Sequence, residues 1–218
     1  MLNIQKPEPF DRESGAALSA HSIFPTIQGE GPFTGHTCIF LRLAGCNLQC
    51  PHCDTEYTSG RQSMTMAQLV SRISSVLHEH PRMRLIVITG GEPLRQDLAP
   101  LCTNLVHAFP NVKIQIESNG VLGLRRLEPL VFSGKVHLVV SPKTSRIHAD
   151  TAMFAHTFKY VLSHDSVNPK DGLPMTALGH KASPHVARPP AGWIGQIYVN
   201  PMDAKDPLEN ERNIQAAV

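Results

Sequence analysis

The stretch CIFLRLAGCNLQCPHC, residues 38–53, decides the fold class of this chain. Its first part, residues 38–43, is a short apolar run that closes on Ala44 and Gly45, which predicts a buried β-strand. Its second part places Cys46, Cys50 and Cys53 in one tight loop directly after that strand. Soft thiolate ligands select zinc or an iron-sulfur cluster. The stretch therefore predicts a strand followed by a metal-binding loop.

An alternation of helices and strands follows this loop. Six short strands separated by helical or loop crossovers predict an α/β fold with a parallel sheet and helices outside it, either an open barrel or a doubly wound sheet. The predicted strands are 38–43, 85–89, 112–117, 136–141, 158–162 and 194–199, and the predicted helices are 66–78, 98–109, 122–132 and 203–218.

Unusual residues follow the predicted strands repeatedly. The cysteines follow the first strand, and three further groups of polar residues follow or end the next strands. Because the chemistry of parallel sheets gathers at the carboxyl ends of the strands, these segments predict one site. They are Gly90-Gly91-Glu92-Pro93, Glu117-Ser118-Asn119-Gly120 and Ser141-Pro142-Lys143.

Composition limits the class of protein. With 218 residues, 41% hydrophobic and 17% charged, the chain is long and apolar enough for one domain. We expect that domain to span 21–218, after a loosely attached N-terminal extension at 1–20. The formal charge of +2 and the lack of a dense Lys/Arg block argue against nonspecific nucleic-acid binding and favour a small-molecule substrate.

The sequence also bears on location and cysteine chemistry. No run approaches the roughly 20 apolar residues of a membrane span, so we expect a cytoplasmic protein without membrane contact. Cys38 and Cys102 stand apart from the cluster in apolar surroundings and are expected to be buried free thiols. Residues 164–192, rich in proline and histidine, predict a long loop, for which a lid is one candidate role.

The three cysteines alone leave two kinds of metal site open. Three thiolates leave one position of a four-iron cluster free for the amino and carboxylate groups of S-adenosylmethionine (SAM). A structural zinc site would instead need a fourth protein ligand, for which the chain offers 12 histidines.

The spacing CxxxCxxC after a first strand resembles the signature of the radical SAM superfamily. Gly90-Gly91-Glu92-Pro93 is similar to the segment that follows the second strand in that superfamily. Its glycines permit close backbone approach, and its carboxylate is a suitable acceptor for an ammonium group. The resemblance implies an incomplete (βα)6 TIM-like barrel that holds a 4Fe-4S cluster and SAM.

The stretch Thr26-Ile27-Gln28-Gly29-Glu30-Gly31 narrows the resemblance. Together with Arg42, Cys53-Asp54-Thr55 and the strand-end segments, it resembles the 7-carboxy-7-deazaguanine synthase family from about residue 21 to residue 201. That family converts 6-carboxy-5,6,7,8-tetrahydropterin to 7-carboxy-7-deazaguanine, a lyase reaction with ammonia loss that leads to queuosine and other deazapurines. The resemblance implies a Mg²⁺ requirement, an external flavodoxin-like one-electron reductant and a homodimer.

The resemblance also implies roles for individual residues. Cys46, Cys50 and Cys53 would hold the 4Fe-4S cluster, Thr55 would bind Mg²⁺, and Arg42 would face the substrate carboxylate. The residues implied to contact SAM are His52, Cys53, Asp54, Gly91, Glu92, Ser141, Pro142 and Lys143. The residues implied to contact the pterin are Ile27, Gln28, Gly29, Glu30, Arg42, Thr89 and Glu117.

The chain departs from the family pattern at two places. His52 stands where radical SAM loops usually carry an aromatic residue. Family members also continue past a helix such as 203–218 into a segment near Gln-Thr-His-Lys, so we expect a chain shortened at its C-terminus. The alternatives are a glycyl-radical-activating enzyme, which has the same cysteine spacing, and a non-catalytic zinc or electron-transfer module.

Overall fold

The computed structural model describes residues 2–11, 15–181 and 184–218. Within these ranges the regular elements are β1 (Ala17–Ile27), β2 (Thr37–Leu43), β3 (Gln62–Thr65), α1 (Met66–Glu79), β4 (Leu85–Gly90), α2 (Ala99–Ala108), β5 (Lys113–Ser118), α3 (Glu128–Phe132), β6 (Val136–Val140), α4 (Ala149–Phe154), β7 (Thr157–Leu162), β8 (Gln196–Pro201) and α5 (Pro207–Ala217).

All the described strands belong to one open sheet in the order β3-β1-β2-β4-β5-β6-β7-β8. The six strands from β2 to β8 run parallel, while β1 pairs antiparallel with both β2 and β3. Because β3 and β8 stay at opposite edges, the barrel is not closed. The six predicted strands and the incomplete (βα)6 barrel are confirmed.

The core lies between one face of the sheet and the helices. Helix α1 shows how the sequence specifies this packing: Thr65 and Gln68 form a capping box at its start, and Leu69, Ile73 and Val76 are buried at helical spacing. Its buried face packs into the same apolar cluster as the helix-facing residues of the strands. Burial of this stripe fixes the helix on the outside of the sheet.

Three elements were not predicted, and one helix is shorter than predicted. The sequence analysis missed β1, β3 and α4. In the segment predicted as helix 122–132, a 3-10 turn occupies Arg125–Leu127 and α3 begins only at Glu128, because Arg125 has a left-handed φ of 58° that interrupts an α-helix.

The N-terminal segment is bound to the domain, which corrects the expectation of loose attachment. Strand β1 starts at Ala17, so the boundary expected after residue 20 falls within a strand. Residues 2–11 also donate backbone hydrogen bonds to the segment that carries the cysteines. Residues 1 and 12–14 of the expected extension lie outside the described residues.

Most of the predicted loop at 164–192 is irregular. Its described part contains a 3-10 turn, His164–Ser166, and two isolated bridges, and residues 182 and 183 lie outside the described residues. In the part of the chain that the structure describes, no helix has the length and apolarity needed to span a membrane. Cys38 and Cys102 are buried free thiols, as predicted.

Candidate active site

The inner face of the sheet carries polar and charged side chains. Leu41 and Ile88 are register partners in the core beneath the helices. Arg42 and Thr89, the next pair, therefore point to the opposite face, because successive residues of a strand alternate. Ile116, which precedes Glu117, and both chain neighbours of Lys159 are also core residues, so the Glu117 and Lys159 side chains share the inner face.

The cysteine loop, residues 46–55, begins where β2 reaches the carboxyl edge of the sheet. Cys46 and Cys50 are buried and Cys53 is partly exposed. Burial raises the pKa of Cys46 to about 12 and that of Cys50 to about 11, and it raises the pKa of Cys53. Thiols must be deprotonated to bind metal, so these groups need the positive charge of iron or another soft metal to ionise.

The donor set fits an iron-sulfur cluster. It consists of three sulfur atoms in one loop. Cys50 and Cys53 both lie close enough to Cys46 to raise the pKa of its thiol. Soft sulfur ligands suit iron-sulfur chemistry. Among the described residues, no three His, Cys, Asp or Glu side chains are gathered as ligands of a single metal ion.

Gly90 and Gly91 let β4 end against the start of the cysteine loop. A Cβ atom on Gly91 would lie 2.0 Å from the carbonyl oxygen of Gly45, and one on Gly90 would lie 2.3 Å from that of Leu43. The amides of Gly91 and Glu92 donate to Leu43 and Gly45 at 3.1 and 2.9 Å. The glycines are therefore required for the backbone contact that fixes the loop.

Glu92 is 0% exposed and accepts three hydrogen bonds from the protein. The donors are the Leu94 amide at 2.9 Å, the Ser118 hydroxyl at 2.8 Å and the Asn119 amide at 2.7 Å. Burial raises the pKa of Glu92, and these hydrogen bonds oppose that effect. The carboxylate thus joins the carboxyl ends of β4 and β5, and its predicted contact with SAM stays a prediction.

Lys143 lies beyond the end of β6 and faces the same edge. Its ammonium group donates to the carbonyl oxygen of Ser141 at 2.8 Å. Burial lowers the pKa of Lys143 to about 8, and the nearby Lys159 ammonium contributes to the decrease. Ser141 and Pro142 are buried between this lysine and the strand.

The predicted pterin-binding stretch 27–30 lies at the end of β1. Ile27 has a side chain that is 62% exposed, and a Cβ atom on Gly29 would have open space around it. Gln28 is buried, and its amide nitrogen donates to Glu117 Oε1 at 2.8 Å. Gln115 donates to the same oxygen at 2.8 Å, so two amides orient the Glu117 carboxylate.

Lys159 connects the two predicted carboxylates. Its Nζ donates to Glu30 Oε2 and, at 3.2 Å, to Glu117 Oε2. The lysine side chain is 6% exposed, against 16% for that of Glu117. Burial by itself lowers the pKa of Lys159, but the carboxylates of Glu117 and Glu30 outweigh it and raise the pKa overall. The three groups therefore form an ion-paired cluster on the inner face.

Arg42 brings a second positive charge to this face. Its guanidinium carbon lies 5.6 Å from the centroid of the Phe24 ring. Burial raises the pKa of Cys53, whereas the positive charges of Lys143 and Arg42 lower it, which places Arg42 near the cysteine loop. A planar guanidinium at this position suits a carboxylate ligand.

The last part of the cysteine loop is more open. Asp54 and His52 are exposed, and the Thr55 hydroxyl donates to Asp54 Oδ1 at 3.2 Å. The His52 amide donates to the Leu178 carbonyl at 3.0 Å, and a Cβ atom on Gly179 would lie 2.5 Å from the His52 ring. The loop at 164–192 therefore contacts the cysteine loop at His52.

Comparison with known proteins shows the family of the chain. The radical SAM superfamily model matches residues 41–163. A 7-carboxy-7-deazaguanine synthase from Rhodospirillum rubrum is 38% identical over 199 residues, which cover 90% of this chain and 79% of that protein. Another from Rickettsia prowazekii is 33% identical over 212 residues, covering 94% of this chain and 81% of that one.

The chain belongs to the 7-carboxy-7-deazaguanine synthase family. Membership of this radical SAM family implies a 4Fe-4S cluster and SAM, and it does not favour the glycyl-radical-activating or zinc alternatives. The crystal structure of QueE from Escherichia coli has a TM-score of 0.57 and 24% identity, covering 70% of this chain and 76% of that one, which supports the shared fold.

Three features of this family member escaped the sequence analysis. Lys159 lies within an apolar strand, where its alternation with the core residues Phe158 and Tyr160 was the available signal. Asn200 has a buried side-chain oxygen that finds no hydrogen-bond partner in the described structure. The contacts of residues 2–11 with the cysteine loop had no signal in the sequence.

Proposed function

We propose that this chain converts 6-carboxy-5,6,7,8-tetrahydropterin into 7-carboxy-7-deazaguanine, with loss of ammonia, in queuosine or related deazapurine biosynthesis. The observation that carries the proposal is the set of charged side chains on the inner face of the sheet. There Arg42 in β2, Glu117 in β5 and Lys159 in β7 share one face of the sheet, whose carboxyl edge carries the cysteine loop. The names of the two bacterial relatives, which this chain covers over 79% and 81% of their lengths, support it.

In this proposal Arg42 binds the substrate carboxylate. The guanidinium presents a rigid fork of donors that matches a carboxylate in two parallel hydrogen bonds. Thr89, its register partner, adds a hydroxyl beside it. A positive charge from a planar donor is the feature that selects the 6-carboxylated pterin.

Glu30 and Glu117 bind the pterin ring in this proposal. Ionised carboxylates accept hydrogen bonds and suit the amino and ring N–H donors of the pterin. Lys159 pairs with both carboxylates and holds them beside each other, and Gln28 orients Glu117. Ile27 and Gly29 lie on the solvent-exposed side of these carboxylates.

The cofactors occupy the neighbouring part of the edge in this proposal. Cys46, Cys50 and Cys53 hold the cluster. When bound there, cluster and SAM supply the radical that removes a substrate hydrogen. The residues predicted to contact SAM would position it and exclude water. They are His52, Cys53, Asp54, Gly91, Glu92, Ser141, Pro142 and Lys143.

The Mg²⁺ proposal concerns Thr55. Mg²⁺ is a hard cation that prefers oxygen ligands and often takes only one or two from the protein. The Thr55 hydroxyl and the Asp54 carboxylate lie 3.2 Å apart and supply such oxygens at the exposed end of the cysteine loop. We further propose that the chain forms a homodimer and that an external flavodoxin-like protein supplies single electrons. Light scattering during size-exclusion chromatography tests the homodimer.

One experiment tests the proposed function. The chain is reconstituted with iron and sulfide under anaerobic conditions, then incubated with SAM, Mg²⁺, dithionite and the carboxytetrahydropterin. Mass spectrometry is expected to detect 7-carboxy-7-deazaguanine, with Arg42→Ala losing most of the product. Formation of 5'-deoxyadenosine without any deazaguanine would refute the substrate assignment and leave the radical SAM chemistry in place.

A further inference from the structure

The N-terminal segment, residues 2–11, runs along the outside of the cysteine loop. The Glu8 amide donates to the carbonyl oxygen of Cys46 at 2.7 Å, and the Asn3 amide donates to that of Pro51 at 2.8 Å. These two contacts lie five residues apart on the loop. The segment therefore brackets the part of the chain that carries the first two cluster ligands.

Side chains of the segment add contacts to the same loop. Asn3 Nδ2 donates to the Cys50 carbonyl oxygen at 3.1 Å, and Gln5 Nε2 donates to that of Thr55 at 2.9 Å. Gln5 Oε1 accepts from the Tyr57 amide at 2.7 Å. Four carbonyl groups of the cysteine loop are thus bound by the N-terminal segment.

The segment is itself anchored to the rest of the domain. Glu8 pairs with Arg61 at 2.6 Å and with the buried Arg95 at 3.4 Å. The hydrogen bond from Arg61 is the main cause that lowers the pKa of Glu8. The guanidinium carbon of Arg125 lies 3.8 Å from the centroid of the Phe10 ring, a cation-π contact.

These contacts affect the cluster because they set the direction in which the carbonyl groups of the loop point. An iron-sulfur cluster on three thiolates is anionic, so carbonyl oxygens that face it are repelled and amides that face it are favoured. Here the bound carbonyls point to the N-terminal segment, while the Leu48 amide donates to Cys46 Sγ at 3.5 Å. Residues that hydrogen-bond to the ligands of a metal, rather than to the metal itself, commonly govern how tightly the metal is retained.

We propose that Asn3, Gln5 and Glu8 are positioning residues that hold the cysteine loop in the conformation that retains the 4Fe-4S cluster. The side chains of Asn3 and Gln5 bind two of the four loop carbonyls, and the backbone amides of Asn3 and Glu8 bind the other two. Loss of the side-chain contacts frees two carbonyls and lets the loop open to solvent. The inference rests on the cluster that radical SAM membership implies and is independent of the proposed substrate.

A double variant tests this inference, with a matched control from the same segment. Asn3→Ala/Gln5→Ala removes the side-chain contacts with the loop, whereas Ile4→Ala changes a residue that is 84% exposed between them. Both full-length proteins are reconstituted anaerobically, and the release of iron to a coloured chelator is followed by absorbance. We expect release about tenfold faster for the double variant and unchanged for Ile4→Ala.

Two further measurements separate positioning from general stability. The electron paramagnetic resonance (EPR) spectrum of the reduced cluster is expected to broaden in the double variant, while the thermal unfolding midpoint of the metal-free protein stays near that of wild type. Gln5→Glu, which keeps the acceptor for Tyr57 and loses the donor to Thr55, is expected to release iron at an intermediate rate. Equal release rates for all variants would overturn the proposal, as would faster release that merely follows a lower unfolding midpoint.

Discussion

Two carboxylates at the carboxyl edge of neighbouring strands have opposite surroundings. Glu92, after β4, is wholly buried and accepts from two backbone amides and a hydroxyl. Glu117, in β5, stays partly exposed and shares the Lys159 ammonium with Glu30. Their position in the sequence made both of them candidates for ligand contacts. Only their hydrogen-bond and ion-pair partners in the structure distinguish the two roles. Glu92 joins the ends of two strands, whereas Glu117 is presented to the inner face of the sheet.

The largest expected effect comes from removing the Lys159 ammonium group that Glu30 and Glu117 share. Lys159→Met leaves Glu30 and Glu117 beside each other without a counter-charge, and breaking a buried ion pair costs about 3 kcal/mol. We expect kcat/KM for the pterin to fall about 100-fold. The formation of 5'-deoxyadenosine without substrate is expected to stay at the wild-type level.

The control for this prediction is Lys135→Met, which changes an exposed lysine just before β6. It is expected to leave both rates unchanged. If Lys159→Met abolished SAM cleavage as well, the cluster around Glu117 would belong to the cofactor site rather than to the substrate site.

A smaller effect is expected from neutralising Glu117 itself. Glu117→Gln keeps one oxygen that can accept from Gln28 or Gln115, so only the ion pair and one acceptor are lost. We expect kcat/KM to fall about tenfold, mainly through KM, because one charged hydrogen bond is worth about 1.5 kcal/mol. Steady-state kinetics over a range of pterin concentrations measures the split, and a fall confined to kcat would contradict the binding role.

Glu92→Gln is expected to affect stability rather than substrate binding. Its amide nitrogen cannot accept, so the amide of Asn119 or Leu94 would lose its partner, at about 1–3 kcal/mol. Urea denaturation of the metal-free protein measures this loss. Glu79→Gln, at the exposed end of α1, is the control and is expected to change stability by less than about 0.5 kcal/mol.

The smallest effect concerns pH. Burial raises the pKa of Glu92 above its ordinary value of 4.5, so the folded state binds the proton more readily than the unfolded state. The energetic cost of ionised Glu92 is present above the raised pKa and disappears as the pH falls below 4.5. The stability of wild type relative to Glu92→Gln should therefore increase slightly from pH 7 to pH 5. A decrease over that interval would mean that the hydrogen bonds outweigh burial.

Much of the fold could be predicted because apolar runs specify buried parallel strands. The run LIVITG predicts β4 without further context. Strand β1 escaped because its burial is irregular and Pro25 lies within it, and β3 escaped because it is short and polar. Tertiary pairing at the sheet edge, rather than local pattern, makes these two segments strands.

The candidate site was predictable only in part. The cysteine spacing predicts a metal-binding loop, because three thiolates in one loop are typical of a metal site. Gly90-Gly91 gains its meaning only together with these cysteines, since glycines at a strand end also form ordinary turns. Lys159 was missed although it alternates with Phe158 and Tyr160, because the strand alone does not show that two carboxylates from other elements meet this lysine. The N-terminal segment remained hidden because backbone hydrogen bonds leave no pattern of residue types.

Cys46, Cys50 and Cys53 are expected to hold a 4Fe-4S cluster with one iron open to SAM. The most direct test is the EPR spectrum of the reduced, anaerobically reconstituted chain before and after addition of SAM. We predict that SAM changes the spectrum of a reduced 4Fe-4S cluster and that Cys50→Ala has no such signal. A spectrum unaffected by SAM, or a colourless protein with one zinc per chain, would contradict a SAM-binding 4Fe-4S cluster on these cysteines.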